Sequence, residues 1–337
     1  MSAHIAKRAK RTNPFWRFVG RFFAWLGTTL GVVLFLLLGA VYLICKGPSP
    51  TARNVFTITM EETSALKFVP RIFLSSDEVD AILNSNIVFE ADTNTDVNIP
   101  FEDRNETIPK DTIEVIDIAG SNYAGKLMIV HDPSRISLAT LPSFSSGRYG
   151  YTLVRFAQEH NAVAAINSGG FEDENGSGTG GMPIGIVIKD GQLVFGSPQT
   201  SGSIIGFDTN NHLVVGKMTA AECLQRNVRD AVSFGPALIV NGEPMEIVGS
   251  GGGINPRTVM GQRADGAVLL LVIDGRQAHS LGANYRDCIE VMLKYGAVNA
   301  ANLDGGSSTA MYYNGEIINS CSALTGPRLS PSAFIVK

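Results

Sequence analysis

The chain has 337 residues, 17% of them charged and 36 of them glycine, the composition of a folded, loop-rich protein with room for an anchor and one large domain or two modest ones. Residues 1–46 hold Lys7, Arg8, Lys10, Arg11, Arg17, Arg21 and Lys46 and no acid, which leaves 20 basic against 31 acidic residues downstream, a balance of −11. Such a domain lacks the basic footprint of a nucleic-acid partner, so no nucleic acid is expected.

Phe22 to Cys45 is an uncharged run of 24 residues, longer than the roughly 20 needed to cross a bilayer and than the core of a secretory signal. No small-residue cleavage site follows it. With the basic flank on its N-terminal side, the reading is a single-pass anchor in the cell membrane, N-terminus cytoplasmic and C-terminal domain extracytoplasmic. The expected organisation is a basic tail at 1–21, the anchor at 22–45, a linker and N-terminal segment at 46–110, and the main domain at 111–337. Of the four cysteines, Cys45 falls in the anchor. Cys223, Cys288 and Cys321 cannot all pair, and a Cys223–Cys321 bridge stays open.

Ser75 or Ser76 can cap a short helix carrying Val79, Ile82 and Leu83. Residues 91–109, rich in Asp, Asn, Thr and Pro, read as a loop; the sequons at Asn105 and Asn175 are too short a match to carry weight. From about 111 the pattern is regular. Ile113–Ile118 and Lys126–His131 read as strands, and Tyr151–His160 as an amphipathic helix feeding a buried strand that ends at Asn167. Hairpins follow around Asp190-Gly191, between Ile204–Asp208 and Leu213–Gly216, and around Asn241-Gly242 and Asn314-Gly315. Arg257–Gly261 and Val268–Asp274 are further strands. A second helix, Asn284–Tyr295, runs into the strand that ends at Asp304. The expected fold is therefore α+β or mixed α/β, a mixed β-sheet core with flanking helices and hairpins behind one transmembrane helix. The two helix–strand–glycine units are expected to deliver Asn167 and Asp304 to the same end of the sheet.

Polar groups concentrate at glycine-rich strand ends: Asn167–Phe171, Gly249–Arg257, Asp274–Arg276 and Asp304–Thr309. Asp304 and Asp274 each end a buried apolar run, and paired carboxylates suit glycosidic cleavage, one acting at the sugar cation and the other on a proton. For Asp274 alone, a strand-end ion pair with Arg276 is the competing account. Arg257 and Arg276 offer forked donors fitted to phosphate or carboxylate. Ser307, Ser308 and Thr309 can donate to sugar or phosphate oxygens, or simply cap a turn. Asp173, Asn175, Ser177 and Gly178 match the start of a calcium loop, but Ile184 stands where its closing glutamate belongs, so the stretch reads as a polar loop. No metal site and no cofactor is expected.

The motifs I-N-S-G-G-F (166–171), G-G-M-P-I-G-I-V-I (180–188), N-P-R-T (255–258), V-I-D-G-R (272–276) and N-L-D-G-G-S-S-T (302–309) occur here in one order. In that order they resemble the phosphodiester glycosidase domain family over roughly residues 110–337. The family includes relatives of the lysosomal enzyme that removes N-acetylglucosamine from a phosphodiester, and bacterial members labelled exopolysaccharide biosynthesis proteins. The resemblance implies hydrolysis of a sugar-1-phosphodiester in a surface polysaccharide or cell-wall glycopolymer. Asp304 and Asp274 would act at the anomeric centre and on water. Arg257 and Arg276 would hold the phosphate, while Asn167, Gly169, Gly170, Gly305, Gly306, Ser307 and Ser308 would line the substrate site. Because a phosphate leaves without much protonation, a site with one essential carboxylate also fits. The alternatives are a non-catalytic glycan-binding or exopolysaccharide-assembly protein, and a metal-dependent phosphodiesterase that the scattered histidines disfavour.

Overall fold

The computed structural model describes residues 14–90, 93–103, 107–323 and 326–337. Lys7, Arg8, Lys10 and Arg11 of the basic tail, Asn105 of the first sequon, and part of the loop at 91–109 lie outside them. The apolar run forms one long helix, α1 (Pro14–Lys46), whose surface is exposed almost throughout. Ser49, followed by Pro50 at the first helical position, starts α2 (Pro50–Glu61), and a Ser75/Glu78 capping box starts α3 (Ser76–Asn84). The last turns of α1 are built into this region: Cys45 is fully buried with Ile58, Leu74, Val79 and Ile82, and Val41 packs against them.

The main domain begins with β1 (Ile113–Ala119), β2 (Ala124–Val130) and β3 (Ile136–Thr140), then α4 (Leu153–Glu159) and β4 (Ala164–Asn167). The hairpin-rich middle follows as β5 (Val187–Lys189), β6 (Gln192–Phe195), β7 (Ser201–Asp208), β8 (Leu213–Thr219), α5 (Ala220–Gln225), β9 (Val228–Ser233), β10 (Ala237–Val240) and β11 (Glu243–Pro244). The last part is β12 (Arg257–Arg263), β13 (Val268–Ile273), α6 (Tyr285–Lys294), β14 (Ala297–Leu303), β15 (Met311–Tyr313), β16 (Glu316–Ile317) and β17 (Ser332–Val336). Asn241 and Gly242 both take positive φ, the geometry a tight hairpin turn between twisted strands requires.

Among the described residues the strands form three sheets. One runs β1-β2-β13-β12-β14-β10-β11, a second β16-β15-β4-β17-β3, and a third β6-β5-β9-β7-β8. Pairings between these strands are antiparallel, so the mixture in this fold is of helices with sheets rather than of strand directions. Alternation along the strands gives each sheet two apolar faces. The inner faces share one core, where Met128, Met260, Leu270 and Leu303 meet Leu138, Ile166 and Phe334 of the second sheet and Ile205, Phe207 and Val232 of the third. Each outer face is closed by its own helix: α6 through Cys288, Ile289 and Met292, α4 through Leu153, Phe156 and Ala157, and α5 through Ala220 and Cys223. All four cysteines carry free thiols, which closes the question of a Cys223–Cys321 bridge.

Two details of register position the site. β12 lies between β13 and β14 and pairs antiparallel with both, so β13 and β14 run the same way and end together beside the start of β12, with Arg257 opposite Ile273 and Thr258 opposite Leu303. The ends of β4 and β14 also meet, but they come from different sheets rather than from one end of a single sheet. The seam between those sheets is closed by backbone and side chain alike: the Asp304 N–H donates to the Ser168 carbonyl at 2.9 Å, and Asn167 Nδ2 donates to the Asp304 carbonyl at 2.6 Å.

Candidate active site

Where the sheets meet, a cavity of about 470 Å³ opens beside the end of β14. Asp304, Gly305, Gly306, Ser307 and Ser308 form its floor; Gly170, Phe171, Ile184 and Phe234 one side; and Asn255, Arg257, Arg276 and Tyr285 another. The remaining walls are unexpected. Asp173 and Arg328 close one end, and Glu62 to Ala65 arrive from the segment just after α2.

Asp304 is the floor's titratable group. Burial pushes its carboxyl up to about 6, against the Ser308 hydroxyl, the Arg328 charge and the Gly305 N–H, which favour the ionised form; the negative Asp173 adds to the rise. Gly306 takes φ +60, which a non-glycine residue adopts at a cost, and a Cβ there would stand 3.3 Å from an Arg276 Nη. The turn that follows Asp304 is thereby pressed against that guanidinium, and the Gly306 N–H is fixed by the Pro256 carbonyl at 3.0 Å.

The three arginines are in different states. Arg257 is buried, donates to the carbonyls of Ala283, Gly252 and Gly253, stacks over the Tyr285 ring at 4.2 Å and meets Glu62 at 3.0 Å. Its Nε and Nη2 are engaged in holding the 252–257 turn and the Glu62 wall. Arg328 forms a two-pronged pair with Asp173, donates to the Gly178 carbonyl at 3.0 Å and covers the Phe171 ring. That pair holds the Asp173 carboxyl down at about 2, the Arg328 hydrogen bond being the main cause, and leaves both Asp173 oxygens occupied by a guanidinium. Arg276, by contrast, donates to two neutral oxygens, Thr63 Oγ1 at 2.8 Å and Asn255 Oδ1 at 2.9 Å. Burial lowers its pKa first and the neighbouring Arg257 charge second. Among the described residues it makes no ion pair within contact distance, so its charge is available to a ligand anion.

Glu62 keeps 30% of its side chain open to the cavity while accepting from Asn255 Nδ2 at 3.0 Å. Crowding around its carboxyl raises the pKa, with Arg257 pulling the other way. Asn302 lies in the penultimate position of β14 and is 1% exposed. Its Nδ2 donates to the Gly235 carbonyl at 3.0 Å, which fixes the amide's orientation, since the reverse would face oxygen against oxygen. Asn302 lines the cavity, and its Oδ1 is buried there without a hydrogen-bond partner. An orphaned buried acceptor of this kind costs about 1–3 kcal/mol unless a donor reaches it.

The other expected site residues sit outside the lining. Asn167 is buried and fully engaged, its Oδ1 accepting from Thr258 Oγ1 at 2.9 Å and the Ala310 N–H at 3.0 Å, so it clamps the two sheets together. Gly169 lies against Val232, where a Cβ would come within 2.8 Å. Asp274 is brought to the same sheet end as Asp304, but β12 intervenes, a separation of roughly 10 Å at ordinary strand spacing. Its Oδ1 accepts from Asn319 and the Ser320 N–H at 3.2 and 3.0 Å, its Oδ2 faces His279 at 3.4 Å, and it does not line the cavity.

A sequence model of the phosphodiester glycosidase family matches residues 160–337. The chain belongs to this family. It is 29% identical over 181 residues to the SPbeta prophage-derived uncharacterized protein YomE of Bacillus subtilis, a match covering 51% of this chain and 27% of that protein. It is 29% identical over 165 residues to the N-acetylglucosamine-1-phosphodiester alpha-N-acetylglucosaminidase of Bos taurus, covering 45% and 28%. The chain thus spans about a quarter of the length of these curated relatives. In fold it is similar to the zebrafish N-acetylglucosamine-1-phosphodiester alpha-N-acetylglucosaminidase catalytic domain, auto-inhibited by pro-peptide, with a TM-score of 0.56, 21% identity, and 70% of this chain and 86% of that chain covered. A putative exported protein from Burkholderia pseudomallei K96243 gives 0.50 and 18%, with 64% and 74% covered.

Arg328, Asn302 and Glu62 were not singled out by sequence. Asn302 stood inside a quoted motif, one residue from Leu303 and two from Asp304, and its polarity within a buried strand was the available signal. Glu62 and Arg328 lie outside the motifs, and no spacing connects them to the site.

Proposed function

We propose that this protein is a membrane-anchored, extracytoplasmic hydrolase that cleaves the bond between a sugar's anomeric carbon and phosphate in a surface polysaccharide or cell-wall glycopolymer. The observation that carries the reading is the pairing of Asp304, a carboxyl tuned to about 6, with Arg276, a guanidinium without a carboxylate partner, across the Gly305–Gly306 turn of one cavity. Arg276 binds the phosphate oxygens. Asp304 works as a carboxylate at the anomeric centre, attacking it or drawing a proton from water. The departing phosphate monoester is a weak base, so a second carboxyl is not required, and Asp274 keeps its task of tying residues 319–320 to β13. Asn302 Oδ1 takes a hydrogen bond from a sugar hydroxyl or amide N–H, which satisfies its lone buried acceptor on substrate binding.

The anchor reading draws support from Cys45 and Val41. Both belong to the folded cluster around Leu74 and Val79, so removal of α1 would open a hydrophobic surface. The test of the function is turnover by the full chain, in detergent or nanodiscs, of a panel of sugar-1-phosphodiesters. Release of free sugar by the wild type and its loss in Asp304→Asn is expected. No turnover across the panel would favour a glycan-binding role, and an active Asp304→Asn would remove the carboxylate from the mechanism.

A further inference from the structure

Between the cavity wall and α3 runs a short segment, residues 63–74. From Phe22 to Tyr42 the helix α1 rises about 30 Å, the thickness of a bilayer's hydrocarbon core. That places Tyr42 at the level where the chain leaves the lipid. The Tyr42 ring meets Phe73 edge-on at 5.5 Å, so Phe73, at the end of this segment, lies at the same level. Residues 63–74 are wound into tight turns, with Leu66 N–H donating to Thr63, Val69 to Leu66, Ile72 to Val69, and Phe73 and Leu74 to Pro70. Five residues of chain keep Phe68 within roughly 17 Å of Phe73.

This segment faces outward with its apolar side chains. Leu66, Phe68 and Ile72 are 39%, 61% and 47% exposed, beside exposed Lys67 and Arg71. Three large apolar residues stay exposed on a twelve-residue stretch in which Pro70 and Leu74 are buried. Lysine and arginine stems interleaved with aromatic and aliphatic tips suit the boundary between headgroups and acyl chains. The patch is also continuous with α1, the surface already assigned to lipid.

We infer that Leu66, Phe68 and Ile72 form a seat that rests in the outer leaflet of the bilayer crossed by α1. The inference rests on the anchor reading. Because Leu66 directly follows the wall residues Glu62 to Ala65, the seat holds one wall of the cavity at headgroup level, where a phosphodiester tethered to the membrane is presented.

The experiment uses the full chain in phosphatidylcholine–phosphatidylglycerol vesicles, carrying Phe68→Cys in a Cys321→Ser background and labelled with a nitrobenzoxadiazole dye. The other three cysteines are buried. Lipids bearing doxyl groups near the headgroup or near the acyl terminus serve as quenchers. The two tryptophans, Trp16 and Trp25, both belong to α1 and report the anchor independently. The seat predicts quenching of the dye by shallow doxyl lipid more than by deep, and loss of that quenching when Leu66 and Ile72 are also changed to Ser. Quenched tryptophans with an unquenched dye overturn the seat and leave the anchor standing; unquenched tryptophans overturn both.

Discussion

Replacing Asp304 with Asn should inactivate the protein and stabilise it, and the second effect depends on pH in a direction the structure dictates. The folded-state carboxyl sits at about 6 against an ordinary value of 3.8, with burial as the main cause. A carboxyl with a raised folded pKa binds its proton more tightly in the native state. Folding stability therefore falls as pH climbs from about 4 to about 6 and stays reduced above that. At 1.36 kcal/mol per pH unit the full penalty is about 3 kcal/mol, an upper bound. The amide carries no charge and keeps an acceptor for the Ser308 hydroxyl and the Gly305 N–H, so most of this should be recovered. For a domain of this size the gain corresponds to a Tm higher by roughly 4–10 °C at pH 8, shrinking towards zero near pH 4. Thermal melts of both proteins in the same detergent at the two pH values provide the assay. An unchanged or lower Tm for Asp304→Asn at pH 8, or an equal offset at both values, would refute the burial argument.

On the proposal that Asp304 acts ionised, kcat/KM of the wild type should fall about tenfold per pH unit below about 6, and a profile flat to pH 5 would contradict that assignment. Arg276→Ala should lower kcat/KM by roughly 10- to 100-fold, the scale of one lost charge-assisted contact. Arg276→Lys should recover only part of it because the fork is gone; steady-state kinetics on one phosphodiester decides this. Asn302→Leu should cost about 1–2 kcal/mol of substrate binding, read as a raised KM, and should also lower Tm, because the side chain's Nδ2 bond to the Gly235 carbonyl is lost with the unpartnered Oδ1. Asp173→Asn should destabilise the fold by about 2 kcal/mol at pH 7 in urea titrations. Its carboxylate is held at about 2 by Arg328, and the stability this confers is present above the ordinary carboxylate range and is lost only as pH falls through about 2.

Local patterns made much of this fold legible before the structure. Ser75 does cap α3, the hairpins at Asp190-Gly191, Asn241-Gly242 and Asn314-Gly315 do turn there, and the helix before Asp304 is α6 with Asn284 as its cap. Each rests on interactions within a few residues. The elements not read include α2, twelve residues within a polar, mixed stretch, and β3, besides elements that lack alternation or length. β17 is buried at every position, β9 nearly so, and α5 has six residues, too few for a helical period. The assignment of β4 and β14 to separate sheets was likewise beyond local pattern, because strand partners are chosen by the shared core and not by the strand itself.

The same division holds for the site. Asp304 and the turn after it announced themselves because an apolar strand ending in Asp-Gly-Gly is a local signature. Asp274 also ends an apolar strand, in Asp-Gly-Arg, yet Asn319 and Ser320, which occupy its Oδ1, are more than forty positions away. Arg257 and Arg276 read alike as forked cations, and only packing tells them apart: one is consumed by Gly252, Gly253, Ala283 and Glu62, the other faces the cavity between Thr63 and Asn255. Arg328 and Glu62 reach the site through loop closures that leave no trace in spacing.

In the proposed reaction the bond broken joins the sugar's anomeric carbon to oxygen, at Asp304, with the phosphate held on Arg276. Hydrolysis of a defined sugar-1-phosphodiester by the full chain in water enriched in heavy oxygen tests it most directly, by mass spectrometry of both products. Label is expected in the released sugar and none in the phosphate monoester. Label in the phosphate would show P–O cleavage and contradict it.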